Sequence, residues 1–169
     1  MTDPLALAED FLLRTRRGEE TDEVREQLAT LDEQLLASLD TDDAKLAFWI
    51  NLYNAATQDA LDRNPDQYDK WRFFSRPLLT VAGEELSLDN IEQGILRRSY
   101  SKYTLGYLRW PFRDSFADRH AVAERDPRIH FALNCGAESC PPIAAYTAGE
   151  IDSQLDIATR GYLDSHVEY

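Results

Sequence analysis

The sequence predicts a single α+β domain, predominantly helical, with a small antiparallel sheet packed on a buried central helix. Three observations predict it. Apolar residues recur at helical spacing through most of the first sixty positions. One of these helical stretches, with Phe48, Trp49, Ile50, Leu52 and Tyr53, is apolar around nearly its whole circumference, as a helix enclosed by the rest of the chain must be. Two short stretches, Pro77 to Ser87 and Arg128 to Asn134, carry the hairpin and period-two patterns of strands. A length of 169 residues with 43% hydrophobic and 11% aromatic content suits one domain with a core of its own.

Taken in order, Leu5 to Arg17 places Leu5, Ala8, Leu12 and Leu13 on one stripe, and its basic end at Arg14, Arg16 and Arg17 precedes Gly18, which predicts a first helix. Thr21-Asp22-Glu23 opens a second helix to about Ser38, with Val24, Leu28, Leu31, Leu35 and Leu36 at helical spacing. Residues 1–40 thus read as an N-terminal helical hairpin, and 41–169 as the main body, the two forming one structural unit. Thr41 is the N-cap expected for the central helix, Ala44 to Leu61, which ends before Asn64-Pro65. Asn51 and Asn54 lie three apart on it, hence on one face, and a buried amide without partners costs roughly 1 to 3 kcal/mol. Their bonds are expected to hold the backbone of residues 130 to 142. Pro77 to Ser87 is expected to reverse near Ala82-Gly83-Glu84, with Ser87 capping a helix from Leu88 to Arg98 that turns Ile91, Ile95 and Leu96 inward. The aromatic stretch between Ser99 and Asp126 reads as core or lid. Ile151 to Leu163 predicts a last helix with Leu155, Ala158 and Leu163 inward, followed by a short strand at His166 to Tyr169.

Chemistry concentrates where the second strand-like stretch ends. Ile129, Phe131 and Leu133 alternate with His130, Ala132 and Asn134; Gly136 then permits a reversal, and Cys135 and Cys140 flank it. A proline pair after Cys140 places that sulfur near a helix start, if a helix follows, where a thiolate is favoured. Cys140 is therefore the candidate nucleophile and His130 its base, with Asn51, Asn54 or Asn134 as orienter or oxyanion donor and Cys135 as a small packing residue. A papain-like or transglutaminase-like arrangement is the alternative architecture, because it also packs a helix on a sheet bearing a strand-borne histidine.

Three segments, Ala47 to Ala55, Leu86 to Arg97 and Arg128 to Pro142, occur together and in this order. In that combination the chain resembles the DUF547 family, whose function is unassigned, over roughly residues 40 to 165. The family commonly has histidine where this chain has Gln93, beside Glu92, and its domain tends to run on past the position of Tyr169. The resemblance implies a role for Glu92 as general acid or base, with Asp126 the other candidate carboxylate.

The ligand pattern His130-x4-Cys135-x4-Cys140 fits none of the usual zinc spacings, and the sequence has no phosphate-binding or dinucleotide glycine motif, so neither metal nor cofactor is expected. With 31 acidic against 18 basic residues the net charge is −13, which disfavours nucleic acid as a partner. Only Lys45, Lys70 and Lys102 are lysines, and such an acidic, lysine-poor composition suits a halophilic protein kept soluble in high salt. No apolar run approaches the ~20 residues of a membrane span and Met1-Thr2-Asp3-Pro4 lacks a basic leader, so the expected setting is the cytoplasm, with free thiols and no membrane contact. The function expected is a cysteine-dependent hydrolase or acyl/aminoacyl transferase acting on a small-molecule or peptide substrate; the alternative is a non-catalytic interaction or structural module for a protein partner, in which the cysteine turn is architectural.

Overall fold

The computed structural model of the chain describes residues 3–67, 70–98, 115–136 and 143–166. Helix α1 (Pro4–Arg17) begins where the Asp3 carboxylate accepts the Leu5 N–H and ends at Gly18, whose φ of 67° lets the chain turn off the helix. Leu7, Ala8, Phe11 and Leu12 are its buried face, so the inward stripe is centred slightly apart from the expected one, with Leu5 and Leu13 only half-buried. It lies mainly against the central helix rather than against the second helix. The expected second helix is two, α2 (Asp22–Ala29) and α3 (Glu33–Ala37), because the Asp32 carboxylate accepts the Gln34 N–H at 2.8 Å and starts a new helix.

The central helix α4 (Asp42–Arg63) starts at Thr41, whose hydroxyl accepts the Ala44 N–H. Every residue from Leu46 to Thr57 is buried, and full burial of each large apolar side chain contributes roughly 1.5–3 kcal/mol. Trp49 anchors this core, edge-on to Phe48 at 4.8 Å and to Phe116 at 6.3 Å. A short helix not anticipated from the sequence, α5 (Lys70–Ser75), precedes the hairpin and buries Phe73.

Strands β1 (Pro77–Val81) and β2 (Glu84–Ser87) pair antiparallel, with Val81 opposite Glu84 and Leu79 opposite Leu86. Both turn residues, Ala82 (φ 50°) and Gly83 (φ 80°), are left-handed, the turn whose twist suits a two-residue hairpin. Their N–H groups donate to the carbonyls of Leu28 (2.9 Å) and Ala29 (2.8 Å), capping the C-terminus of α2. Ser87 caps the next helix as expected: its hydroxyl accepts the Asn90 N–H at 3.1 Å, and the Asn90 side chain accepts the Ser87 N–H at 2.8 Å. That helix, Asn90–Leu96, is wound as a π-helix; Ile91, Ile95 and Leu96 face inward.

The strand expected through His130 is instead a 3₁₀ turn, Pro127–Phe131. Asp126 accepts the Arg128 N–H at 2.9 Å and Pro127 fixes the first φ, a helix-start signal that outweighs the apolar alternation; Ile129 and Leu133 become the buried pair. The sheet among the described residues therefore has two strands, and the strand-borne histidine behind the papain-like alternative is absent. Helix α7 (Ile151–His166) buries Leu155, whereas Leu163 is 45% exposed and points away from the core. Residue 166 ends this helix rather than opening a strand. Positions 167–169 and most of the aromatic segment lie outside the described residues. No described helix is long and apolar enough to cross a membrane.

Helix α6 (Ser115–His120) packs His120 over the Trp49 region, 4.5 Å from the Phe116 ring. Burial holds the His120 pKa below its ordinary 6.5, and the Glu33 carboxylate, 3.2 Å from Nε2, opposes this only in part. The neutral ring is thus the folded form. Stability from this site is complete above about pH 6.5 and is lost as the pH falls from that value toward the lower folded pKa. Urea midpoints between pH 8 and pH 5 are expected to fall below about pH 6.5, and His120→Gln is expected to flatten that part of the profile; an unchanged slope in the variant would reject the assignment.

Candidate functional site

Two buried asparagines on α4 fix the approach to the cysteine turn and the exit from it. Asn54 donates through Nδ2 to the Ala132 carbonyl at 3.0 Å and accepts the Asn134 N–H on Oδ1 at 2.8 Å. One turn earlier, Asn51 donates to the Tyr146 carbonyl at 2.8 Å and accepts the Tyr146 N–H at 2.9 Å. Each amide thus does what a neighbouring strand does in a sheet, offering one donor and one acceptor to loop backbone. Gln154 of α7 repeats the device, donating to the Ala145 carbonyl at 3.1 Å and accepting the Thr147 N–H at 2.9 Å. The expectation that helix amides hold residues 130 to 142 is met by Asn54; Asn51 acts just beyond that window, on Tyr146.

Within the turn, the Asn134 carbonyl Oδ1 accepts the Gly136 N–H at 2.8 Å, and Gly136 takes a φ of 80° that a side chain would resist. Cys135 is half-buried and disulfide-bonded, which corrects the expectation of free thiols. The chain's other cysteine, Cys140, lies outside the described residues. His130 is exposed on the 3₁₀ turn, with its ring edge-on to Phe131 at 5.3 Å. Asn134 is joined to Asn54, so these two and Cys135 form one connected group.

Glu92 belongs to a different cluster. It accepts from the Tyr53 hydroxyl at 3.4 Å and from Arg97 Nε at 3.1 Å. Burial first, and then the Glu92 charge, push the Tyr53 pKa well above its ordinary 10, so the phenol remains a donor. Asp126 is committed to Arg128, which also binds Asp152 at 2.7 Å and Asp156 at 2.6 Å and so ties the 3₁₀ turn to α7. Burial works to raise the Asp126 pKa, but the Arg128 hydrogen bonds and charge outweigh it and the net shift is downward. Among the described residues no group of three or more His, Cys, Asp or Glu could hold a metal ion. A carboxylate-lined cleft of about 340 Å³ beside Thr21, Asp22, Asp59 and Arg63 contains none of the candidate catalytic residues.

The α4 segment with its asparagines, the Glu92 segment and the stretch running into the cysteine turn are the segments on which the family resemblance rests. A family model described as a protein of unknown function, DUF547, matches residues 36–163. The chain belongs to the DUF547 family. No curated protein and no solved structure matches it. In this DUF547 chain the match takes in both asparagine clamps, the Glu92 cluster and the cysteine turn, and begins after α2. The third clamp, through Gln154, was not anticipated because a glutamine on an otherwise ordinary amphipathic helix carries no spacing signal. The Arg128 tie to α7 was missed for the same reason: it depends on tertiary approach of Asp152 and Asp156.

Proposed function

We propose that this DUF547 chain is a non-catalytic interaction module whose working surface is the clamped cysteine loop. One observation carries the reading: the Asn51 and Asn54 amides are each engaged as donor and acceptor by backbone at Ala132, Asn134 and Tyr146, so their polar groups are spent on holding the chain on either side of the cysteine turn. The disulfide at Cys135 points the same way, since a crosslinked sulfur beside Gly136 suits an architectural role for the turn. A protein partner fits better than nucleic acid, given the net charge of −13. The competing reading, a hydrolase or acyl transferase with Cys140 as nucleophile and His130 as base, draws support from His130 lying on the same Asn54-held stretch as Cys135. Ester, amide and thioester probes offered to fully reduced protein separate the two. The module reading expects no turnover above background; turnover abolished by Cys140→Ser and reduced by His130→Ala would overturn it.

We further propose a cytoplasmic, halophilic setting, supported by the charge and the scarcity of lysine. Carboxylate repulsion is expected to weaken the fold at low ionic strength, and molar salt to relieve it by shrinking the Debye length to about 3 Å. Thermal midpoints should rise steadily from tens of millimolar to molar KCl. A flat or falling series removes the halophilic reading.

A further inference from the structure

Side chains of two helices converge on three successive residues, Ala145, Tyr146 and Thr147. Asn51 of α4 engages both the N–H and the carbonyl of Tyr146, and Gln154 of α7 engages the Ala145 carbonyl and the Thr147 N–H. Asn51 is itself buried, so its amide fixes the Tyr146 backbone without competition from water. The Tyr146 side chain is enclosed too: the residue is 3% exposed and belongs to the core built on α4. Its main chain and its ring are thus both held.

The hydroxyl is the exception. Among the described residues it has no hydrogen-bond partner. Buried tyrosines ordinarily pair that group, and Tyr53 shows the ordinary case in this fold, with its hydroxyl 3.4 Å from Glu92. A phenylalanine at position 146 would fill the same space with no phenol to desolvate, so the oxygen adds nothing to packing. Burial alone pushes the Tyr146 pKa up to about 12, so the phenol keeps its proton and is a donor. No charged group contributes to that shift, which leaves no nearby cation to balance an anionic ligand. With a net charge of −13 on the chain, the acceptor that fits is a neutral oxygen.

We infer that the Tyr146 hydroxyl is a docking contact that donates a hydrogen bond to a backbone carbonyl in a peptide segment of a protein partner. This rests on the interaction reading and names the contact through which it would work. A peptide carbonyl is a neutral acceptor that must be paired when a binding surface covers it. Strand-like pairing is closed to such a partner at 145–147, because the Asn51 and Gln154 amides and the Glu150 N–H already hold the Ala145 carbonyl, both Tyr146 groups and both Thr147 groups. The side chain is what remains to offer.

A random-peptide phage library, depleted on Tyr146→Phe and then selected on the wild-type chain, tests this. The expected result is a set of peptides that bind wild type tighter than Tyr146→Phe by about tenfold or more. Replacing one amide of such a peptide by a thioamide, a poorer acceptor, should weaken binding to wild type and leave binding to the variant unchanged. Tyr146→Phe is expected to keep the far-ultraviolet spectrum and the urea midpoint, because the lost hydroxyl supports nothing within the fold. A lower midpoint would make the hydroxyl structural and overturn the inference. Absence of hydroxyl-dependent binders, or thioamide effects that are missing or equal in both proteins, would also overturn it. Turnover of the ester, amide or thioester probes that Cys140→Ser abolishes would reject the interaction reading instead, and the peptide measurements, made without turnover, are read apart from it.

Discussion

Replacing Asn54 by alanine is expected to lower stability by about 3 kcal/mol, because it orphans two backbone groups at once and each buried unsatisfied group costs roughly 1–3 kcal/mol. The groups are the Ala132 carbonyl and the Asn134 N–H, bound at 3.0 and 2.8 Å by an amide that is itself fully buried. Half-exposure of Asn134 lets water recover part of one bond, which keeps the figure below the sum of the maxima. In a chain of this size the change corresponds to a thermal midpoint lower by roughly 6–12 °C. Asn54→Asp is expected to do no better despite its matching shape. It supplies no donor to Ala132 and turns a carboxylate oxygen toward that carbonyl in a buried site. Chemical denaturation of the two variants checks both statements; a loss below about 1 kcal/mol in Asn54→Ala would mean that the loop is held by other means.

A comparable loss is expected on the opposite side of α4. Asp59 is 5% exposed and accepts from the Thr21 hydroxyl at 2.6 Å, from Arg25 at 2.9 Å and from Arg63 at 3.1 Å. It thereby joins the start of α2 to the end of α4, and Arg25 carries the link on to the Leu78 carbonyl of β1 at 2.8 Å. Breaking a buried ion pair by deleting one partner typically costs about 3–5 kcal/mol. Here the two guanidinium groups retain 28% and 45% exposure, so water offsets part of it, and Asp59→Ala is expected near the lower end, about 3 kcal/mol. The effect should be strongly non-additive with Arg25→Ala, since the second deletion removes a charge already deprived of its partner. A double variant whose loss equals the sum of the singles would show that the arginine does not depend on Asp59.

What the sequence made legible follows the range of the forces involved. The caps at Thr41 and Ser87, the stop at Gly18 and the reversal at Ala82-Gly83 were readable because each is decided within a few residues. The burial of α4 was readable because its apolar residues leave no polar face. From that burial and the paired amides, the Asn54 contact follows from the sequence alone. The strand at His130 was misread because apolar alternation over five positions is weaker evidence than an Asp-Pro helix start, which lay two residues upstream. The break between α2 and α3 was missed in the same way, the periodicity of Leu31, Leu35 and Leu36 masking the cap at Asp32. Partners such as Gln154 to Ala145, Arg128 to Asp156 and Tyr53 to Glu92 involve packing of separate elements, or of a turn on a helix, and no local pattern announces them.

The hairpin's tip carries one more consequence. A slip of its strands by a single residue would turn Leu79 and Val81 out of the core, the usual penalty that keeps strands aligned. Here the same slip would also withdraw the Ala82 and Gly83 N–H groups from the last carbonyls of α2. Register is therefore locked from two directions, by the side chains along the strands and by the backbone at the turn. A two-stranded ribbon has both outer edges unpaired and is the element most prone to misalign or recruit a foreign strand. Pinning its tip to a helix end resists misalignment with no side chain spent on the task.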